Sequence, residues 1–266
     1  LELRALAVRL GALRLIEEYY KTLGAVATAV AVEQLRYLAY DLEQRVTLAF
    51  GTGRCRQWRL CVIVTEALCA HHSWLDVARM AIEGGADCIQ LREKALEGRE
   101  LVERERRLVE VARPKGASVI VNDRVDVALL ARADGVHVGQ RDFSVKDVRR
   151  IAGFNLLVGV STTNIEQARA ALRDGADYCG VGPVFATATK SAPGGRTDGS
   201  VAGLEYVRAY AAHVPSLPPA LASGGITPAN VGEVRAAELV GVAVSGAVCA
   251  AKDVVGVCRG LVNSVR

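Results

Sequence analysis

The amino-acid sequence predicts an α/β fold, a (β/α)8 barrel preceded by a short helical extension. Three observations point there. From residue 60 onward short apolar runs alternate with helix-length amphipathic segments, and eight such runs can be counted. The runs are apolar throughout rather than at every second position, as in parallel strands covered on both faces. Eight βα units within residues 60–266 match the strand count and length of a small closed barrel. An open doubly wound sheet is the alternative, and it ordinarily uses fewer strands.

The 266 residues leave room for one large domain or two small ones. Hydrophobic residues at 51% and charged residues at 23% suit a packed core and exclude a disordered chain. Aromatic residues are only 5%, so that core is built from small and branched side chains. No run of 18 apolar residues offers a membrane span, and no charged segment followed by an apolar one opens the chain as an export signal. A net charge of +4 is too small to imply nucleic acid as a partner. The seven cysteines, at 55, 61, 69, 88, 179, 249 and 258, form no Cys-x-x-Cys pair and stand at no zinc spacing. They read as reduced thiols of a cytoplasmic protein.

Along the chain, residues 1–56 form a first module. Leu13, Ile16, Tyr20 and Leu23 share one helical face there, and Leu35, Leu38, Leu42 and Val46 share another. Gly24 between them predicts a turn joining two helices, and Gly51-Thr52-Gly53 a linker. The amphipathic pair suits a partner or self-association into a homo-oligomer. The barrel domain takes residues 57–266, with strands at 60–65, 86–91, 118–121, 135–138, 157–160, 178–181, 219–222 and 241–244. Helical periodicity follows, for example over 74–83, 97–111, 164–173, 228–236 and 251–262. Small-residue turns lead back into strands at Gly84-Gly85-Ala86-Asp87, Ala133-Asp134-Gly135 and Asp174-Gly175-Ala176-Asp177.

In such a barrel the chemistry sits at the C-terminal ends of the strands. Strand two ends in Gln90-Leu91-Arg92-Glu93-Lys94, strand three in Asn122-Asp123, and strand four in His137-Val138-Gly139-Gln140-Arg141-Asp142. Strand five gives Ser161, and strand six leads through Gly182-Pro183 to Thr187-Ala188-Thr189-Lys190. Strands seven and eight give Ser223-Gly224-Gly225 and Ser245-Gly246, glycine turns whose backbone N–H groups can converge on a phosphate. Asp123 and Asp142 end neighbouring strands, so they either share one Mg²⁺ or cap the helices that follow. Arg92, Lys94 and Lys190 would face the same mouth, and two carboxylates with three cations suit a pyrophosphate bridged by Mg²⁺. His137 reads more readily as a hydrogen-bonded structural group than as a base. His71 and His72 have no further ligand-type residue nearby, and residues 191–200, rich in glycine, read as a lid over the mouth.

Together these motifs resemble thiamine-phosphate synthase, also called thiamine-phosphate pyrophosphorylase. The resemblance rests on Gln90-Leu-Arg92-Glu-Lys94, Val121-Asn122-Asp123, His137-Val-Gly-Gln140-Arg-Asp142, Gly159-Val-Ser161, Gly180-Val-Gly182-Pro183, Thr187-Ala-Thr189-Lys190 and Gly224-Gly225-Ile226-Thr227. It runs from about residue 60 to 262, in order and with family-like spacing. That family couples 4-amino-5-hydroxymethyl-2-methylpyrimidine diphosphate to 4-methyl-5-(2-hydroxyethyl)thiazole phosphate, releasing pyrophosphate and forming thiamine phosphate. The resemblance implies that Gln90 holds the aminopyrimidine, while Arg92, Lys94, Asn122 and Lys190 grip the diphosphate. It implies Asp123 and Asp142 as Mg²⁺ ligands and Ser161 beside the reacting methylene. Thr187, Thr189 and Gly225, with the backbone of Ser245 and Gly246, would hold the thiazole phosphate.

The chain departs from the family pattern at three points. Thr163 stands where the family often has His, Gly246 replaces a common Ser, and Ala186 a common Pro. Residues 1–56 lie outside the common core and resemble a helical extension of some bacterial members. Two other readings fit the same barrel, a thiazole tautomerase and a non-catalytic sensor of thiazole phosphate. The first has no need of a diphosphate grip, and the second none of a metal site.

Overall fold

Gly24 decides where the first helix stops. Its φ of 71° lies in the left-handed region, and the Ala25 N–H closes back on the Tyr20 carbonyl at 3.0 Å. The helices on either side are α1 (Glu2–Thr22) and α2 (Val26–Val46). They meet along small and charged residues. Ala29 is buried, and the buried Glu17 carboxylate accepts from Lys21 at 2.6 Å and from Arg36 at 2.8 Å. These two cations hold its carboxyl below the usual carboxylate range. The face predicted through Leu35 and Leu38 points outward, as do Ile16 and Leu23. The cause is that the contact line passes through Ala29 and Arg36 instead. Side chains of Leu42 and Val46, and the expected 51–53 linker, lie outside the described residues.

The computed structural model describes residues 2–46, 57–153, 155–187, 201–239 and 241–265. They divide into two units, one holding the helical pair and the other the barrel. Among the described residues no helix is long and apolar enough to cross a membrane.

The second unit is a closed parallel barrel, with each strand paired to the next and β8 to β1. Its strands are β1 (Leu60–Val64), β2 (Cys88–Leu91), β3 (Ser118–Asn122), β4 (Gly135–Val138), β5 (Leu157–Thr162), β6 (Tyr178–Val181), β7 (Ala220–Ser223) and β8 (Gly241–Val244). The intervening helices are α3 (Trp74–Glu83), α4 (Gly98–Ala112), α5 (Val125–Ala131), α6 (Val145–Ala152), α7 (Ile165–Asp174), α8 (Gly203–Ala211) and α9 (Val231–Ala236). A short α10 (Gly246–Cys249) and α11 (Val254–Ser264) follow β8. The predicted strands match to within two residues at either end. The predicted helix over 251–262 begins at Val254, because Asp253 caps it by accepting from the Gly256 N–H at 2.8 Å.

Side chains alternate along each strand, which splits the core in two. The larger part lies between strands and helices, with Val62, Val64, Leu91, Val121, Val136, Val158, Val181 and Val242 pointing outward to it. The smaller fills the barrel itself with Trp58, Cys61, Cys88, Ile120, Leu157, Tyr178, Leu221 and Ala243. The acidic turns close the opposite end from the mouth. Asp87 accepts from the Arg59 N–H, Asp134 from the Val119 N–H and Asp177 from the Val158 N–H, each at 2.8 Å. Each carboxylate thus ties the foot of an even-numbered strand to the odd-numbered strand before it. Arg149 completes the third tie, with Nη2 at 2.5 Å from Asp177 and Nη1 donating to Leu156 O at 2.9 Å.

Candidate active site

Four neighbouring strands bring the inward-facing layer of the site into register. Asn122 on β3 pairs with His137 on β4, His137 with Gly159 on β5, and Gly159 with Tyr178 on β6. Gly159 is required there, since a Cβ would collide with the Tyr178 ring and hydroxyl. The ring therefore reaches beneath His137, whose Nδ1 lies 3.1 Å from Tyr178 Oη. His137 Nε2 lies 3.0 Å from Ser161 Oγ. Trp58 packs edge-on against Tyr178 from below, with ring centroids 5.0 Å apart. The hydrogen-bonded reading of His137 is what the structure shows, and Tyr178 and Ser161 both line the mouth.

Above this layer lie two adjoining cavities. One, of about 350 Å³, is lined by Gln90, Thr187, the Ser223–Thr227 turn and Ser245–Ala247. Gln90 is only 5% exposed, so its amide faces the cavity rather than solvent. The other, of about 320 Å³, is lined by Lys94, Asp123, Gln140, Arg141, Asp142, Thr163 and Gln167. Arg92, Asn122, His137 and Ser161 line both. The structure brings Gln90, Arg92, Lys94, Asn122, Asp123, Asp142, Ser161, Thr187, Gly225, Ser245 and Gly246 together at one mouth. Thr189, Lys190 and the expected lid at 191–200 lie outside the described residues.

The second cavity is charged. Asp123 sits at φ 61°, its N–H held by the His137 carbonyl at 2.8 Å. Its Oδ2 receives Asn122 Nδ2 at 2.7 Å and Lys94 Nζ at 3.3 Å. Burial, and then the charge of Asp142 within hydrogen-bond reach, push the Asp123 carboxyl up, against the pull of Lys94. Asp142 in turn accepts from the Gly139 N–H at 2.8 Å. Neither carboxylate caps a helix. Ser144 caps α6, accepting from Asp147 N at 3.2 Å, and α5 starts without a side-chain cap. Capping, the plainer explanation of these two aspartates, is thereby removed. Among the described residues no group of three or more His, Cys, Asp or Glu could hold a metal, so a cation here would draw its remaining ligands from water or substrate.

The first cavity is nearly neutral. Gly224 and Gly225 take φ of 94° and 68°, and a Cβ on Gly225 would meet the Ala186 carbonyl oxygen at 2.6 Å. Asn230 braces this turn by donating to Gly225 O at 2.9 Å and accepting from Thr227 N at 2.8 Å. Ser245 presents a buried hydroxyl that makes no hydrogen bond of ordinary geometry among the described residues. Tyr178 is the residue that motif reading missed, because it stands first in a buried strand. The glycine facing it at 159 was the available signal. His71 and His72 line neither cavity.

Comparison with known proteins agrees with this arrangement. Residues 60–248 match the family described as thiamine monophosphate synthase. Thiamine-phosphate synthase of Moorella thermoacetica is 45% identical over 205 residues, 77% of this chain and 94% of that protein. Thiamine-phosphate synthase of Thermosynechococcus vestitus is 39% identical over 245 residues, 91% of this chain and 66% of that protein, so the similarity there extends into the helical pair. Thiamine phosphate pyrophosphorylase from Pyrococcus furiosus superposes with a TM-score of 0.69 at 37% identity, covering 77% of this chain and 94% of that one. A 3-hexulose-6-phosphate synthase, at 19% identity and a TM-score of 0.57, shares the fold alone. With its barrel, its paired aspartates and its glycine turns, this chain belongs to the thiamine monophosphate synthase family.

Proposed function

We propose that the chain joins the pyrimidine diphosphate to the thiazole phosphate, releasing pyrophosphate and forming thiamine phosphate. The observation that carries this is the pair of adjoining cavities, one charged and one neutral and glycine-lined, sharing Arg92, Asn122, His137 and Ser161. A diphosphate and a monophosphate each find a matching half, with the reacting carbon at the junction. Arg92, Lys94, Asn122 and Lys190 hold the diphosphate, and Gln90 the aminopyrimidine. Thr187, Thr189, Gly225, Ser245 and Gly246 hold the thiazole phosphate. Asp123 and Asp142 suit Mg²⁺, because two crowded carboxylates, one of them pushed up by burial and then by the charge of the other, gain from a shared cation. When bound, Mg²⁺ supplies positive charge to the diphosphate oxygens.

The carbon–oxygen bond breaks first, and its electron pair leaves with pyrophosphate. The aminopyrimidine ring delocalises the positive charge left on the methylene, and the thiazole nitrogen then donates its lone pair to that carbon. No general base is required, in keeping with a site of cations, amides and hydroxyls. The residues' task is to neutralise the leaving group and keep water from the cation. The chain works on small molecules in the cytoplasm, with residues 1–56 as a separate helical module serving self-association rather than chemistry.

The test is a coupling assay with both substrates, following thiamine phosphate and pyrophosphate, with Mg²⁺ and then with EDTA. Mg²⁺-dependent formation of both products is expected. A folded protein that binds thiazole phosphate and makes neither product sinks this reading in favour of a tautomerase or a sensor.

A further inference from the structure

We propose that Tyr178 and His137 are positioning residues that fix the direction of the Ser161 hydroxyl, so that its hydrogen points into the junction of the two cavities. The inference rests on the coupling reaction proposed above, and it adds residues to which no role has been given. It follows from proton bookkeeping along three side chains. Tyr178 is 4% exposed, and its hydroxyl has one hydrogen-bond partner among the described residues, His137 Nδ1. Burial pushes its phenol well above the ordinary range, so the oxygen keeps its proton. Were the phenol only to accept, that proton would be buried without a partner, which a folded interior disfavours. Tyr178 therefore donates, and His137 Nδ1 accepts.

A neutral imidazole that accepts at Nδ1 carries its hydrogen on Nε2. The Nε2–H accordingly donates to Ser161 Oγ at 3.0 Å, which occupies a lone pair of the serine and leaves its own hydrogen free. The serine backbone is pinned as well, its carbonyl accepting from Gln140 Nε2 at 2.7 Å. Ser161 lines both cavities, so a hydroxyl polarised this way is aimed where the carbon–oxygen bond breaks. Charge develops on the departing oxygen, and a preset donor stabilises it without reorganising at that moment. No proton changes owner. Gly159 and Gly180 make the arrangement possible, the first by admitting the Tyr178 ring and the second because a Cβ there would crowd His137 Cε1 at 3.0 Å.

Two measurements test this. The protein carries four histidines, few enough for ¹⁵N spectra of histidine-labelled protein at a pH of about 8.5, above the usual histidine range, with His137 assigned from its absence in His137→Gln. The Nε2-protonated tautomer is expected for His137, and the Nδ1-protonated one overturns the proposal. In kinetics, Tyr178→Phe is expected to lower kcat about tenfold while KM stays within about twofold, the signature of one aligned hydrogen bond made in the transition state. Placed on Ser161→Ala, the same change is expected to do nothing more. An unchanged kcat in the single variant, or a full further loss in the double variant, overturns the proposal, because Tyr178 then acts independently of Ser161. If the unaltered protein forms no thiamine phosphate, the coupling reading fails by itself, and the tautomer still decides whether the relay exists.

Discussion

Replacing Glu105 with Met is expected to stabilise the protein, and by more the higher the pH. Glu105 lies on α4 between Leu101 and Leu108, on the buried face of that helix, and is 0% exposed. Neither carboxylate oxygen has a hydrogen-bond partner among the described residues. Burial alone pushes its carboxyl well above 4.5, so the folded protein holds this proton after the unfolded chain has released it. Between 4.5 and the folded-state pKa the native state binds more protons than the unfolded state, and stability falls as pH rises through that window. Methionine is unbranched, suits a helix and brings no polar atom. Below the window the gain is the relief of a buried carboxyl without partners, about 1–3 kcal/mol. Inside it the gain grows by about 1.4 kcal/mol per pH unit. Urea unfolding followed by far-UV circular dichroism at pH 4, 5, 6, 7 and 8 reads this directly. Melting temperatures should rise in step, by about 2–4 °C per kcal/mol for a chain of this size. Glu105→Gln should abolish the pH slope without the constant gain. A difference that stays the same at every pH, or a methionine variant less stable throughout, would refute the reasoning.

Other substitutions test the barrel and the site. Asp123→Asn should leave the fold intact, shift the Mg²⁺ titration of activity to higher concentration and lower kcat by about 100-fold, and an unchanged titration would remove Asp123 from the metal site. Gly225→Ala places a side chain at φ 68° and 2.6 Å from a carbonyl oxygen, so KM for the thiazole phosphate should rise at least about tenfold, measured by steady-state kinetics. Arg149→Ala removes the cation beside Asp177, of which only 14% is exposed, and should cost about 3 kcal/mol in urea unfolding; a loss under about 0.5 kcal/mol would mean the ion pair at the barrel foot is idle.

The strands were legible because most are buried on both faces, and continuous apolar runs such as 60–64 and 241–244 have few other interpretations. The mouth was legible because its chemistry-bearing residues follow those runs directly, as Asn122-Asp123 and Ser245-Gly246 do. Other features depend on partners far apart in the chain. Whether Asp123 and Asp142 cap helices or face each other is decided by Ser144, which takes the capping role at α6. Tyr178 looked like packing, and only its register against Gly159 and His137 gives its hydroxyl a direction. Glu105 sits at a core position of the α4 periodicity, yet a charged residue in so charged a helix reads as solvated. The outward turn of Leu35 and Leu38 follows from Ala29 and Arg36 claiming the contact between α1 and α2, a choice that periodicity alone leaves open.

The carboxylates of Asp87, Asp134 and Asp177 divide the barrel into cassettes. At the foot of the barrel each one clamps β1 to β2, β3 to β4, or β5 to β6 by a side chain. Cuts or exchanges made between cassettes preserve every clamp, and cuts within a cassette sever one. Fragment complementation and barrel recombination should therefore succeed more readily at α4, between the first two cassettes, than at α3, α5 or α7, each of which lies inside one.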